Sequence, residues 1–407
     1  MRKPPDLTAG DLPPSASVVV AGGGIIGLSL AFEFASRGVD VLVLERAHIG
    51  AGAAGVAAGM LAVAGEAEYE TPELAEFGLE SQRRYPEFVR RVEASGGLPC
   101  GLAQDGTLTV ALGRDDEEEL ARVRRFQARL GLSCVLLDGD QAREREPLLS
   151  PRVTAALFAA GDHQVNPRAM LRALAGAVRA LGGRVVTGAA VSGFETQGGR
   201  LVEVRGRRAE REGSGAVTGG DPASAVEFAV RCGRAVLAAG AWSASGIAWP
   251  ASPIAVRPVK GQVLRLRGPA LLRHVVRAPE VYLVPRRGGE LVVGATMEEQ
   301  GFDTAATAGA AMDLLWRARL AVPGTYDLEL VEVSVGFRPA TRSHLPLIGE
   351  TDVGGLCVAT GHFRHGVLLA PATATLLADL LVDGHESPLL TPFRPARPRA
   401  DARAADA

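Results

Sequence analysis

The chain is 407 residues long, well beyond the ~250–300 at which one core stops growing, so two lobes are expected. Its formal net charge is −2, and the 44 basic and 46 acidic side chains are interleaved, which leaves no single-signed patch for nucleic acid or an anionic membrane. Cys100, Cys134, Cys232 and Cys357 are scattered, with no CxxC pair and no clustered histidines. That argues against a disulfide framework or zinc site and for a reducing, cytoplasmic compartment.

Residues 1–16 lack the apolar core of a secretory signal and read as a disordered tail. Residues 17–22, SVVVAG, are a short β-branched run, the pattern of a strand buried on both faces. A glycine-rich turn follows, then an apolar helical pattern through Leu28, Ala31, Phe34 and Ala35, closed by Gly38. A second buried strand, VLVLE, covers 41–45, completing a βαβ unit.

The turn, Gly22-Gly23-Gly24-Ile25-Ile26-Gly27, matches GxGxxG. Gly22 allows the tight turn, Gly24 lets the backbone reach a pyrophosphate, and Gly27 lets helix and strand pack closely. The pyrophosphate is expected on the free N–H groups of the helix N-terminus. Glu45, at the end of the second strand, can accept from ribose hydroxyls. Arg46 beside it is expected to point the other way along the strand. The segment AGAAGVAAGMLA, 51–62, is a run of small residues suited to lying flat against a large planar ligand.

Residues 73–92 and 115–130 read as amphipathic helices, the second opening with Asp115, Asp116 and Glu117 where carboxylates favour a helix N-terminus. A helix over 166–182 is capped by Asn166 with Pro167 at its first position and leads into a strand over 184–191. The polar, Gly-rich stretch 206–225 reads as a flexible insertion in a β-meander. A β-rich region spans 254–298, with a hairpin turning at Gly288–Gly289. A strand over 356–361 feeds a helical run over 366–381. Pro371 and Asp379 break that run, so no membrane span is expected. The tail after Pro392 reads as disordered. Three arginine pairs, Arg83–Arg84, Arg124–Arg125 and Arg286–Arg287, read as solvated faces. No GxSxG elbow or cysteine nucleophile motif occurs. His362 and His365 lack the carboxylate or cysteine that a metal site requires. Lys260 could lie near a bound ring or at the surface.

The motifs GGGIIG, AAGMLA followed by EAEYE, RPVKGQ (257–262), VYLVPR (281–286), VVGATM (292–297), SVGFRPAT (334–341) and ATGHFRHGVLLAPATA (359–374) resemble those of the D-amino acid oxidase-like FAD-dependent oxidoreductases. The glycine oxidase branch of thiamine biosynthesis is the most similar. The resemblance covers about residues 17–390. It implies an α/β fold: a Rossmann-type FAD-binding domain, with a parallel sheet flanked by helices and a β-meander, beside an α+β substrate domain on an antiparallel sheet. The first domain is expected from 17–90, 155–253 and 331–392, the second from 91–154 and 254–330, with a disordered tail over 393–407.

Carried over by position, the implied cofactor contacts are Gly22, Gly24, Ile25, Ile26, Gly27, Glu45, Arg46, Ala58, Gly59, Met60 and Val191. They resume at Gly361, His362, Phe363, Arg364, His365, Gly366, Val367 and Leu368. Substrate contacts fall on Tyr282, Arg338 and Arg364, with Met297 as an apolar wall. An amino acid carboxylate suits the forked guanidinium of Arg338, on a backbone stiffened by Pro339, and Tyr282 can add a phenolic donor. The helix near Gly366 is expected to aim its positive end at the flavin. The chain departs from the family at Ala53, Ala54 and Gly55, where hydroxyls are usual, and at His365, where Asn is usual.

The implied reaction is oxidative deamination of glycine, and of sarcosine or D-alanine, by hydride transfer to non-covalently bound FAD, with dioxygen as oxidant. Hand-off to thiazole synthesis and a homo-oligomer are further expectations. A dehydrogenase passing electrons to a quinone or partner protein, and a non-catalytic flavoprotein subunit, are the rival readings.

Overall fold

The computed structural model describes residues 12–66, 71–209 and 225–395. The expected tail up to residue 11, positions 67–70 of EAEYE, most of the polar insertion (210–224) and the tail from 396 lie outside the described residues.

Every residue of the strand Val18–Ala21 is buried, and its alternation sorts the two faces. Val18 and Val20 join a core with the helices, whereas Val19 and Ala21 join a second core with the meander. This strand is central to a six-stranded sheet ordered Leu347–Glu350, Leu356–Thr360, Arg234–Leu237, Val18–Ala21, Val41–Glu45, Arg184–Thr187. All neighbours are parallel except the first pair. The strand expected over 184–191 is two strands. Gly188, at φ +73°, turns the chain out of this sheet, and Ala189–Gln197 starts the antiparallel meander with Arg200–Ala209 and Ala225–Arg231. The insertion expected over 206–225 is correspondingly shorter, because strand pairing continues from Gly206↔Phe228 to Ala209↔Ala225. The end of the N-terminal tail is also fixed: Arg231 donates to Pro14 O and accepts from Ala16, each at 3.0 Å.

Three expected helices form as Pro72–Gly96, Arg114–Arg129 and Pro167–Ala180. Asn166 caps the last, its side-chain oxygen accepting from Arg168 and Ala169 N–H.

The run after residue 366 does not break at Pro371, whereas at Asp379 the α-helix gives way to a π-helical segment, Asp379–Asp383. The stretch Gly366–Asp383 is long and apolar enough to cross a membrane by length and composition, but 67% of it is buried inside the protein. It packs against Ile25–Ser36 and Pro72–Gly96. Pro371 lacks the N–H that would reach the Val367 carbonyl. The Tyr85 hydroxyl donates to that carbonyl instead, at 2.9 Å. One turn on, Ser81 Oγ donates to Leu368 O at 2.6 Å and accepts from Ala372 N–H at 3.1 Å. Two side chains of the neighbouring helix therefore bridge the gap, and the helix runs through its proline to Ala378.

The second layer is an eight-stranded sheet ordered Glu329–Ala340, Arg257–Arg267, Glu290–Gly294, Val281–Pro285, Val275–Ala278, Thr107–Ala111, Ala155–Ala159, Val135–Asp138. One pair, Val275–Ala278 with Thr107–Ala111, is parallel and the rest are antiparallel. The hairpin turns at Gly288 and Gly289, both at positive φ, as the sequence indicated. Ala155–Ala159 and Glu329–Ala340 belong to this sheet, so segment boundaries at 155 and 331 do not follow it. A strand's composition does not reveal which sheet it joins.

Candidate active site

A cleft of about 440 Å³ lies between the carboxyl ends of the parallel strands and the inner face of the eight-stranded sheet. At one end is the Gly22–Gly27 turn, whose glycines separate by steric test. Gly22 sits at φ +119°, and a Cβ there would meet Ala238 O at 2.4 Å; a Cβ on Gly27 would meet Gly22 O at 2.0 Å. The protein itself demands both. A Cβ on Gly24 would meet nothing within 4 Å, because Gly24 borders the open cleft. Its smallness matters only to a ligand lying on the turn. The helix Ile25–Ser36 begins there with no side-chain cap and no acidic residue in its first turn, so its N–H groups remain available to an anion.

Glu45 is set at the cleft by two backbone donors, Gly23 N–H to Oε2 at 2.8 Å and Ala47 N–H to Oε1 at 2.9 Å. Each oxygen keeps a lone pair for a ribose hydroxyl. Arg46 does not point away as expected. The strand ends at Glu45, alternation stops with it, and Arg46 lines the cleft with its guanidinium 3.7 Å over the Trp242 ring. Burial holds that guanidinium below its ordinary pKa.

The small-residue loop lines the cleft from Gly50 to Met60 and is pinned from behind. Arg168 Nε donates to Gly55 O at 2.7 Å, and Arg286 donates to Ala58 O and Gln164 Oε1. Arg286 is thus not part of a solvated pair. The hairpin pairing runs one step beyond the strand Val281–Pro285, Arg286 N–H donating to Glu290 O at 2.8 Å. Arg286 therefore shares the inner face with Tyr282 and Val284, where burial and then the Arg265 charge push its pKa down to about 10. Gly59, at φ +78°, packs so closely that a Cβ would meet Val165 O at 2.1 Å.

The other end of the cleft carries Arg338 and Tyr282, and each lies on a glycine. Arg338 pairs across the sheet with Val259, and its guanidinium covers Gly261. A Cβ on Gly261 would meet Nη1 at 2.4 Å and Cζ and Nη2 at 2.8 Å. A Cβ on Gly294 would meet the Tyr282 hydroxyl at 2.5 Å. Nη1 of Arg338 donates to Thr296 O at 3.0 Å, and Nη2 and Nε hydrogen-bond to none of the described residues. That edge of the guanidinium matches a carboxylate. The loop before the last helix closes this end. Phe363, at φ +45°, donates its N–H to Pro339 O at 2.9 Å, and the His344 ring stacks on it at 4.5 Å.

The family model described as FAD dependent oxidoreductase matches residues 17–380. The chain belongs to this family. A glycine oxidase from Geobacillus kaustophilus is 33% identical over 92% of this chain and 95% of its own length. The "Bifunctional protein ThiO/ThiG" of Trichormus variabilis is 34% identical over 93% of this chain but only 55% of its own, so the chain spans about half the length of that relative. The crystal structure of the G. kaustophilus glycine oxidase aligns with a TM-score of 0.83 at 32% identity, covering 94% of this chain and 98% of that one.

FAD fits the residues present. The open space at Gly24 is a cradle that a Cβ would fill, and the uncapped helix and Glu45 supply donors and acceptors for pyrophosphate and ribose. Of the residues expected at the cofactor, Gly22, Gly24, Ile25, Ile26, Glu45, Arg46, Ala58, Gly59, Met60, Val191, His362, Phe363, Arg364, Gly366 and Val367 line the cleft. Gly27, Gly361, His365 and Leu368 are not among its lining residues. His365 acts through its backbone, accepting from Leu369 N–H at 2.8 Å as the last helix begins. Arg364 is exposed at the rim. Met297, expected as an apolar wall, is 63% exposed and does not line the cleft.

Trp242 and Phe337 line the cleft and were not anticipated. The signal for Trp242 was the AAGAW run, 238–242, directly after the strand Arg234–Leu237. Lys260 is neither beside the cleft nor at the surface. Its side chain is 1% exposed and paired with Asp303 and Glu298.

His362 is buried against Thr373, with Nε2 and Oγ1 at 3.2 Å. Burial, and then neighbouring His365, push its pKa down from 6.5 to about 3. The folded protein therefore binds fewer protons at this site than the unfolded chain. The stability it contributes is complete above about pH 6.5 and is lost as pH falls toward 3. Urea midpoints measured at pH 7 and pH 4.5 should fall further in the wild type than in His362→Gln. Parallel declines would remove this histidine from the acid sensitivity.

Proposed function

We propose that the chain oxidises glycine, or an amino acid of similar size, at the Arg338 end of the FAD cleft. One observation carries this reading: Arg338 and Tyr282 lie on two glycines at the end of the cleft opposite the pyrophosphate turn. Arg338 would take the substrate carboxylate through the edge left by its Nη1–Thr296 bond, and the Tyr282 hydroxyl would add a donor. This fixes the amine-bearing carbon relative to the cofactor and removes orientational freedom from the reaction. His362, held neutral, adds no positive charge to compete for the carboxylate. The N-terminus of Gly366–Ala378 favours negative charge at this end of the cleft. Bound FAD would supply the hydride acceptor for the amine carbon, with dioxygen as the final two-electron oxidant reduced to hydrogen peroxide. The resulting imine hydrolyses to glyoxylate and ammonia or is handed on. The glycine oxidase relatives support the substrate, and the fused ThiO/ThiG relatives support hand-off to a thiazole-forming partner.

Anaerobic titration of the yellow holoprotein with glycine, sarcosine and D-alanine tests this directly. Glycine should bleach the flavin absorbance, and readmitted air should restore it with release of peroxide. An absorbance untouched by all three amines would overturn the proposal.

A further inference from the structure

The strand Arg257–Arg267 has a second face, turned away from Gly261, and it grips the segment 296–307. Lys260 and Glu298 exchange both backbone hydrogen bonds at 2.9 Å. The Lys260 ammonium lies 2.6 Å from Asp303 Oδ2 and 3.7 Å from Glu298 Oε2. Gln262 completes the grip. Its amide donates to Glu298 Oε1 at 2.9 Å and accepts from Thr307 N–H at 2.9 Å. Its backbone N–H donates to Thr296 Oγ1 at 2.9 Å.

This segment ends in the clamp. The Thr296 carbonyl accepts from Arg338 Nη1 at 3.0 Å, and the Lys260 carbonyl lies 3.5 Å from the same nitrogen. Further along, Phe302 stacks on Trp242 at 5.1 Å and meets Phe337 edge-on at 5.3 Å. A covered ammonium loses its hydration, and such pairs are poor sources of net stability. Their better-attested use is to fix one geometry.

We propose that Lys260 is a positioning residue for substrate. By pairing with Asp303 and Glu298 it holds the segment 296–307, and with it the carbonyl that sets the rotation of the Arg338 guanidinium. The role rests on the carboxylate clamp proposed above. Rotation of the guanidinium matters because a two-pronged contact fails when its plane tilts, whereas a single point charge would tolerate it.

The test uses the FAD-loaded protein and acetate, a carboxylate that cannot be oxidised, with binding read from the flavin spectrum. Lys260→Met keeps the side chain's length without its charge. Asp303→Asn removes the same pair from its half-exposed end, away from the core. Acetate should bind ~10-fold more weakly to Lys260→Met, with a smaller loss in Asp303→Asn, as expected when a docking group shifts by a fraction of an ångström. The KM for glycine should rise in parallel while kcat at saturation holds. Hydrogen exchange should quicken in peptides covering 296–307.

Faster exchange with unchanged acetate affinity would show a merely structural pair and overturn the proposal. If wild-type protein bound no acetate while glycine still bleached its flavin, the carboxylate clamp would fall and this role with it. If Lys260→Met fails to fold, acetate binding to Asp303→Asn decides alone.

Discussion

Arg338→Lys is expected to lower kcat/KM for glycine by ~30-fold or more, while flavin content stays at the wild-type level. The guanidinium has two jobs in this reading: Nη1 holds the Thr296 carbonyl at 3.0 Å, and the remaining edge of this cleft-lining side chain takes the substrate carboxylate. An ammonium is a single point and cannot keep both at that spacing. Lysine would also leave the space above Gly261 unfilled, where the planar group now lies within 2.4–2.8 Å of a hypothetical Cβ. An amine without a carboxylate never uses the contact and should be turned over at an almost unchanged rate. Stopped-flow reduction with glycine and with such an amine separates these cases. Equal losses on both substrates, with flavin bound, would remove the clamp and leave only a generic amine oxidoreductase.

The second large effect divides two glycines that look equivalent in the fingerprint. Gly27→Ala should destabilise the apoprotein by ~3 kcal/mol or more, because its Cβ would sit 2.0 Å from the Gly22 carbonyl and backbone cannot step aside. Gly24→Ala should leave the urea midpoint of the apoprotein unchanged, because its Cβ enters empty cleft. Its penalty should appear only with FAD, as a ~30–100-fold loss of affinity from a methyl group at the pyrophosphate, equivalent to ~2–3 kcal/mol. Fluorescence titration of FAD into both apoproteins reads the difference. A Gly24→Ala protein that binds FAD normally would mean the pyrophosphate does not rest on this turn.

Much of this division was legible in the sequence because it is local. The buried strand, the glycine turn and Glu45 lie within one βαβ unit, and the cap at Asn166 involves its immediate neighbours. What was not legible depends on distant partners. Nothing in RPVKGQ or VVGATM says that Gly261 and Gly294 are floors for Arg338 and Tyr282, since each glycine lies on a different strand from its side chain. Arg286 looked solvated until the inner face of the sheet gathered Ala58 and Gln164 around it. Arg46 was misplaced because alternation was extended one residue past the strand's end. Met297 was placed at the cleft by resemblance, and the structure leaves it outside. The split at Gly188 was hidden because both halves of 184–191 have strand composition, and only the change of partner shows the break.

The bridged proline in the last helix imposes an order on how this protein can change by descent. While Pro371 is present, the Val367 carbonyl accepts from the Tyr85 hydroxyl, so losing that hydroxyl strands a buried acceptor at ~1–3 kcal/mol. Once position 371 carries an N–H, the helix can supply the bond itself and position 85 is released to become Phe. The permissive step must come first, and the reverse order passes through a weakened intermediate. Descendants with Phe at 85 should therefore be drawn from those that had already lost the proline, which ties two residues on different helices into one ordered pair.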